Sequence, residues 1–438
     1  MKEPYPKPVV GPPRVLSASL WVFVVFLTIV FFLLTQDVFH SVKWQGEGLS
    51  TVDEVIAAAN HSHNSLLRRV VLFSLGGFAV VSLLWRRRNP LRINGLLAHL
   101  IIFFLLWAGL SVAWADDSAM AFRKVVAFAL LALGAAAVAE RFSIRQVMFL
   151  AFVSCGLFLV VGVFAEIALG TFHPLQSGYR FCGTNDPNVG SWALATLLLT
   201  AVALASTADR HRGIFLATAL GALGFLLLSR TRTSFAAFIF ALGSYWSLVS
   251  SRPRKIAFTL SLISIGCLAY LVLGDEFVSG AWHGILLGRE GPDTSTLSGR
   301  ILFWNACLPY IAKRPLLGYG FDCFWTPQRV VEISYNAVGS NIAGGWAFNG
   351  YIDLVLGVGL GGAGVYVLAL GLAIKRSIFR FKTSRNPDYA FVCSLLIFYC
   401  LVMLTEGISS VFSMTQFTVF ALLAQLGFGN NPAWRLKR

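Results

Sequence analysis

The feature that most constrains this chain is a series of apolar blocks, each about twenty residues long, separated by short basic connections. Twenty apolar residues in a helix match the roughly 30 Å of hydrocarbon in a bilayer. Backbone groups in lipid must be satisfied within the segment, so helices are the expected spans. Composition agrees: hydrophobic residues make up 57% of the 438 positions and charged residues 13%. That excludes an ordinary soluble domain, which carries about a quarter charged residues. The net charge of +15 does not point to nucleic acid, because most Lys and Arg sit in short loops beside apolar blocks, where they set orientation.

About twelve spans are expected, near 15–36, 68–85, 94–114, 122–139, 146–169, 189–206, 213–228, 234–250, 255–274, 351–374, 388–405 and 411–428. The first block lacks a small-residue cleavage site and reads as a span. Every second connection is basic: 86–92, 140–145, 209–212, 251–255, 375–385 and the C-terminal tail. That side is expected to be cytoplasmic, with both termini. The reading divides the chain into an N-terminal bundle of about nine spans (1–273), a large periplasmic loop (274–350) and about three C-terminal spans (351–438). Short helices are expected in the loop, with IAKRPLLGYG as a turn between them.

Among the cations on the outer side, where arginine is normally avoided, four arginines stand out. Arg180 lies in GYRFCGTNDPNVG, Arg230 and Arg232 in the tight turn of LLLSRTRTSFAA, and Arg300 in STLSGRILFWNACLPYI. A single outer cation is readily explained by pairing with Asp186, Asp293 or Glu290. The set suggests an anionic ligand at the membrane surface, since the guanidinium fork matches phosphate oxygens. A lipid pyrophosphate is the natural candidate. No GxxxxGK[ST], HExxH or GxSxG motif occurs. The seven Cys lack metal-ligand spacing, and no metal or other cofactor is expected. Cys155, Cys267, Cys393 and Cys400 read as packing residues; Cys307 and Cys323 fall in the loop, where a disulfide between them is one option.

Three stretches resemble the O-antigen ligase and polysaccharide polymerase family: SGRILFWNACLPYIAKRPLLGYGFDCFW at 298–325, LSRTRTSFAAFIFALG at 228–243 and FNGYIDLVLGVGLGGAGVYV at 348–367. GTNDPNVGSWALA is a weaker fourth. The resemblance implies a GT-C-like membrane glycosyltransferase in the bacterial inner membrane. Such an enzyme moves a glycan from an undecaprenyl-pyrophosphate carrier to an acceptor glycan or lipid hydroxyl, without a metal. Arg230, Arg232 and Arg300 would hold the pyrophosphate, with Arg180 a further guess; Asn349, Trp304 and Trp346 would lie toward acceptor or sugar. Other polysaccharide assembly proteins are expected partners. The chain departs from the family at Phe348, where a His usually precedes Asn-Gly-Tyr and is thought to act as base. Asp322, Asp353, Glu406 and His283 are the substitutes. Two other classes stay open: a transporter of lipid-linked oligosaccharides, and a non-catalytic component of a polysaccharide export complex.

Overall fold

The computed structural model describes residues 18–35, 66–84, 92–93, 95–176, 179–208, 210–250, 300–336, 346–407 and 413–429. Among these the protein is all helical. The helices are α1 (Ala18–Thr35), α2 (Leu66–Leu84), α3 (Gly95–Leu110), α4 (Ser118–Arg141), α5 (Ile144–Ala168), α6 (Pro187–Ala205) and α7 (Arg212–Leu228). They continue with α8 (Arg232–Val249), α9 (Arg300–Lys313), α10 (Pro327–Asn336), α11 (Gly350–Ser384), α12 (Pro387–Val402) and α13 (Met414–Phe428). A helix occupies each expected span except 255–274, which lies outside the described residues. So does Cys267.

Five helical stretches are long and apolar enough to cross a membrane: Gly95–Ala113, Ser118–Arg141, Ile144–Ala168, Pro187–Ala205 and Gly350–Ser384. Arg69–Leu84, Arg212–Leu228, Pro387–Val402 and Met414–Phe428 are apolar but shorter. Large apolar side chains such as Phe73, Leu84, Phe164, Leu220, Phe240 and Leu368 are exposed. In water such a surface is a liability, whereas in lipid it costs nothing. This is a membrane protein.

Turn chemistry cuts the apolar runs into helices. Asp117 caps α4 by accepting from Met120 N, and Ser143 with Gln146 forms a capping box on α5. Asp186 caps α6 and Asn386 caps α12, each followed by a proline at the first helical position, where its missing N–H is harmless. The core runs along α6, α12 and α13, whose residues are mostly buried. Helix α6 packs on α5 and α7, α8 on α12, and α11 on α3 and α12. Small hydroxyls join neighbouring helices: Thr196–Thr415 at 2.8 Å, Ser191–Ser234 at 2.7 Å and Ser244–Ser394 at 3.0 Å. In lipid, where apolar contact between helices gains little, such links help fix partners.

Helix α11 departs from expectation twice. It runs on to Ser384 rather than ending near 374, because KRSIFRFKTS contains no breaker and places cations at the helix C-terminus, where they are favoured. It stops where Arg385 turns left-handed (φ 55) ahead of Asn386 and Pro387. It is also broken internally at Gly359 (φ 70, ψ 176). The segment after α9 fills that break. Tyr319 N donates to Leu356 O at 2.8 Å, and Leu360 N to Pro315 O at 2.8 Å. Trp107 Nε1 donates to Val358 O at 2.9 Å. The carbonyls released by the kink are thus satisfied by other elements, as buried backbone requires. A Cβ on Gly359 would lie 2.0 Å from Leu316 O, and one on Gly318 (φ +67) 2.7 Å from Gly357 O.

The expected loop holds two short helices, α9 and α10, with PLLGYG between them. They enclose a second small core of Phe303, Cys307, Tyr310, Tyr319, Phe324, Ile333, Ala347 and Leu356. Cys307 and Cys323 are both buried and free, so they form no disulfide. Arg329 and Arg314 both lie over the Tyr319 ring, at 4.5 and 4.7 Å, and both pair with Asp116. Burial pushes the Asp116 carboxyl up, but Arg329 and Arg314 outweigh it and hold it below its ordinary value.

Candidate functional site

Arg180 links two of the expected elements, the turn of Arg230 and the Arg300–Glu406 pair. Their scaffold begins with Glu166, a carboxylate near the C-terminus of α5 with no exposed surface. Its Oε1 accepts from Cys182 N at 2.8 Å and Gly183 N at 2.7 Å, and its Oε2 from the Tyr179 hydroxyl. Three donors from one loop therefore end on one side chain. The approach is close: a Cβ on Gly162 would lie 2.9 Å from Gly183 Cα. Only glycine allows it, and Gly183 itself has φ +62.

That loop presents Arg180 to the turn between α7 and α8. Arg180 Nε donates to Ser229 O at 3.0 Å, and Nη2 to Asn188 Oδ1 at 3.2 Å and Thr231 Oγ1 at 3.4 Å. Phe181 N donates to Leu228 O at 3.0 Å. Arg180 is only 6% exposed. These contacts tie the turn to the α5–α6 loop and to α6, so Arg180 helps hold the turn in place. The turn carries Arg230 in the left-handed region (φ 51) and starts α8 at Arg232. Both are half-buried.

Arg300, the first described residue of α9, pairs with Glu406 through Nη2 and Oε1 at 2.9 Å. Its guanidinium lies 5.7 Å over the Phe348 ring. Phe348 sits in the left-handed region (φ 50) between Phe303 and Trp346, at ring distances of 5.9 and 5.4 Å. Glu406 follows α12 and is 4% exposed. Its carboxyl is raised to about 7, by burial first; Arg300 pulls it down, Asp186 pushes it up and Arg180 pulls it down. Burial draws the Arg180 guanidinium below its ordinary value, opposed by Asp186 and Glu406 and reinforced by Arg230. Arg180, Arg230, Arg300, Asp186 and Glu406 thus form one electrostatic cluster. Within it Arg300 and Glu406 are in direct contact, and Arg180 feels Asp186, Glu406 and Arg230.

The other expected residues have other partners. Asp322 (φ 56) pairs with Lys124 of α4 at 2.9 Å. Asp353 Oδ1 accepts from Trp325 Nε1 at 2.8 Å and Ala347 N at 3.0 Å. Its Oδ2 has no hydrogen-bond partner among the described residues and abuts Gly407, on which a Cβ would stand 2.9 Å away. Asn349 caps α11, its Oδ1 accepting from Tyr351 N and Ile352 N; it is held as a helix cap. Trp304 Nε1 donates to Ala347 O at 2.9 Å. Trp346 packs against Phe348 and Gly407. His283 lies outside the described residues. No group of three or more His, Cys, Asp or Glu that could hold a metal occurs among the described residues. The sequence reading missed Glu166. Its signal was a lone carboxylate in the apolar run VGVFAEIALG, fifteen residues or so before the arginine it supports.

Residues 216–367 match the family model for O-antigen ligase. The match spans the α7–α8 turn, α9, the PLLGYG segment and the first half of α11, and shows the family resemblance carried by those stretches. No curated protein matches the chain.

Proposed function

We propose that this membrane protein, with an O-antigen ligase segment as its premise, transfers a glycan from an undecaprenyl-pyrophosphate carrier to an acceptor hydroxyl. The cluster would face the periplasm from the bacterial inner membrane, with both termini cytoplasmic. Residues 1–273 and 351–438 would be the membrane bundle, and 274–350 its periplasmic loop. About twelve spans in a GT-C-like arrangement are part of this reading. The acceptor would be a second glycan or a lipid, in a ligase or a surface-polysaccharide polymerase.

The observation that carries the reading is the arginine cluster. Arg300 pairs with Glu406, whose charge also responds to Arg180, and Arg180 in turn holds the turn that carries Arg230 and leads to Arg232; these cations come from two of the stretches that carry the family resemblance. Cations fixed before substrate arrives need no reorganisation as charge grows on a departing pyrophosphate. Their location at the end of the bundle suits a headgroup whose polyprenyl tail stays in lipid. A flippase would instead need cations along a path through the bilayer.

The test is transfer by purified protein from a lipid-pyrophosphate-linked glycan. Arg232→Ala and Arg300→Ala should each lower transfer roughly ten- to hundredfold, the value of a charge-assisted contact of about 1.5–3 kcal/mol. Normal transfer by both variants would remove the pyrophosphate role. No transfer by wild type, with flipping of the same lipid in proteoliposomes, would make the protein a transporter. Neither activity would favour a non-catalytic export component.

A further inference from the structure

Glycosyl transfer to a hydroxyl releases a proton, and the arginines that hold a pyrophosphate cannot accept it. From the geometry we infer that Glu406 is the group that takes the proton from the acceptor hydroxyl, and that its ion pair with Arg300 couples proton removal to donor binding. This rests on the transferase reading above.

The position argues for Glu406 over its rivals. Asp322 is bound by Lys124 on another helix. Asp353 is tied to Trp325 and Ala347 and lies beneath Gly407. Asp186 belongs to the α6 cap, where its Oδ1 accepts from Asn188 N. Glu406 stands on a connection between helices and touches Arg300 directly. Arg300 also bears the Phe348 ring, so the position where a histidine would be expected and the Glu406 carboxyl share one guanidinium. Phe348 cannot take a proton; its neighbour across Arg300 can.

The step balances as follows. The acceptor oxygen bonds to the anomeric carbon while its proton passes to a Glu406 carboxylate oxygen. The bond from that carbon to the pyrophosphate oxygen breaks, and its electron pair leaves with the phosphate, neutralised by the arginines. Before donor binds, Arg300 is occupied by Glu406. An incoming pyrophosphate competes for the same guanidinium and frees the carboxylate for the hydroxyl. The groups that set its charge are Arg300 of α9, Asp186 at the start of α6 and Arg180 of the α5–α6 loop. Burial places its proton affinity near neutrality, at about 7, where a general base works best.

The experiment is the pH profile of transfer by the full-length purified protein with a lipid-pyrophosphate-linked glycan. Wild-type kcat/KM should fall as pH drops through about 7. Glu406→Gln should lower kcat by about 10²–10⁴-fold, leave the donor KM unchanged or lower it, since Arg300 no longer has a competing carboxylate, and abolish that acidic limb. Glu406→Asp should restore part of the rate and the limb. A Glu406→Gln variant that keeps the limb, or loses activity through KM alone, overturns the inference and makes Glu406 a counter-ion. If Gln at this site prevents folding, Glu406→Asp and wild type decide: a flat wild-type profile between about pH 6 and 8 overturns it. The two readings fail separately. Unchanged transfer in both Arg232→Ala and Arg300→Ala sinks the donor site, whereas loss there with an active, pH-normal Glu406→Gln sinks only the base.

Discussion

Replacing Glu166 tests whether the arginine cluster is held from behind. In Glu166→Leu the Cys182 and Gly183 amides and the Tyr179 hydroxyl lose their acceptor in a site with no exposed surface. Each buried donor left unmet costs about 1–3 kcal/mol, so partial relaxation still leaves a loss of about 3–5 kcal/mol. Glu166→Gln is the control. Both amides end on the same oxygen, Oε1, which the glutamine keeps. Only the Tyr179 contact must reverse, with the hydroxyl now accepting from Nε2. Losing the charge on that network should cost about 1 kcal/mol. The assay is the unfolding midpoint of purified protein in detergent, read beside transfer. Leu should lower the midpoint well below that of Gln. It should also reduce transfer at least as far as Arg180→Ala, because the loop that places Arg180 is no longer fixed. Equal midpoints for Leu and wild type, or for Leu and Gln, would refute the claim that this carboxylate organises the site.

Gly359→Ala should destabilise by about 3 kcal/mol or more, since a residue forced into that strained backbone costs about 1–3 kcal/mol and its Cβ would also overlap Leu316 O; Gly361→Ala, whose Cβ meets nothing nearer than 3.7 Å, is the matched control in the same unfolding measurement. Asp116 stabilises the fold only where it is charged. Its pKa is depressed from 3.8, so the contribution is complete above that value and is lost as pH falls through the depressed one. With a third of the side chain exposed, Asp116→Asn should cost at most about 1 kcal/mol at pH 7, and its unfolding midpoint should converge with wild type in acid.

The helices were legible because apolar length is a one-dimensional property; the caps at Asp186 and Asn386, each before a proline, emerged only with the structure. The convergence of Arg180 with the Arg230 turn was legible in part. Alternation of basic connections put both on one side, although no sequence signal says that residues 49 apart share a hydrogen bond. Glu166 was not legible, since an acid at the end of an apolar run looks the same whether it meets water or three backbone and side-chain donors. Asn349 has a local structural role that the sequence reading did not give it. It stands before a helix with Asp353 four residues on, and its side-chain oxygen caps that helix. The break in α11 was hidden because VLGVGLGGAGVYV has enough apolar character to span as a continuous helix. Which of its glycines turns left-handed depends on what packs there.

What packs there gives the most recognisable stretch of the loop a structural role. PLLGYG donates and accepts at the α11 break through Tyr319 N and Pro315 O, and Trp114 Nε1 seals Leu317 O at 2.9 Å. This plug follows α9 directly, and α9 starts at Arg300. The break lies within α11, whose N-cap directly follows Phe348. Docking PLLGYG into α11 therefore fixes the C-terminal end of α9 relative to α11. The shared core of Phe303, Cys307 and Ala347 fixes the rest of α9 against the segment before it. Arg300 and Phe348 meet because two helices are locked together at a point remote from both. A change at Gly359 or Gly318 should then act on transfer through the Arg300–Glu406 geometry, and the loss should follow the loss of folded structure rather than a change in the pH limb assigned to Glu406.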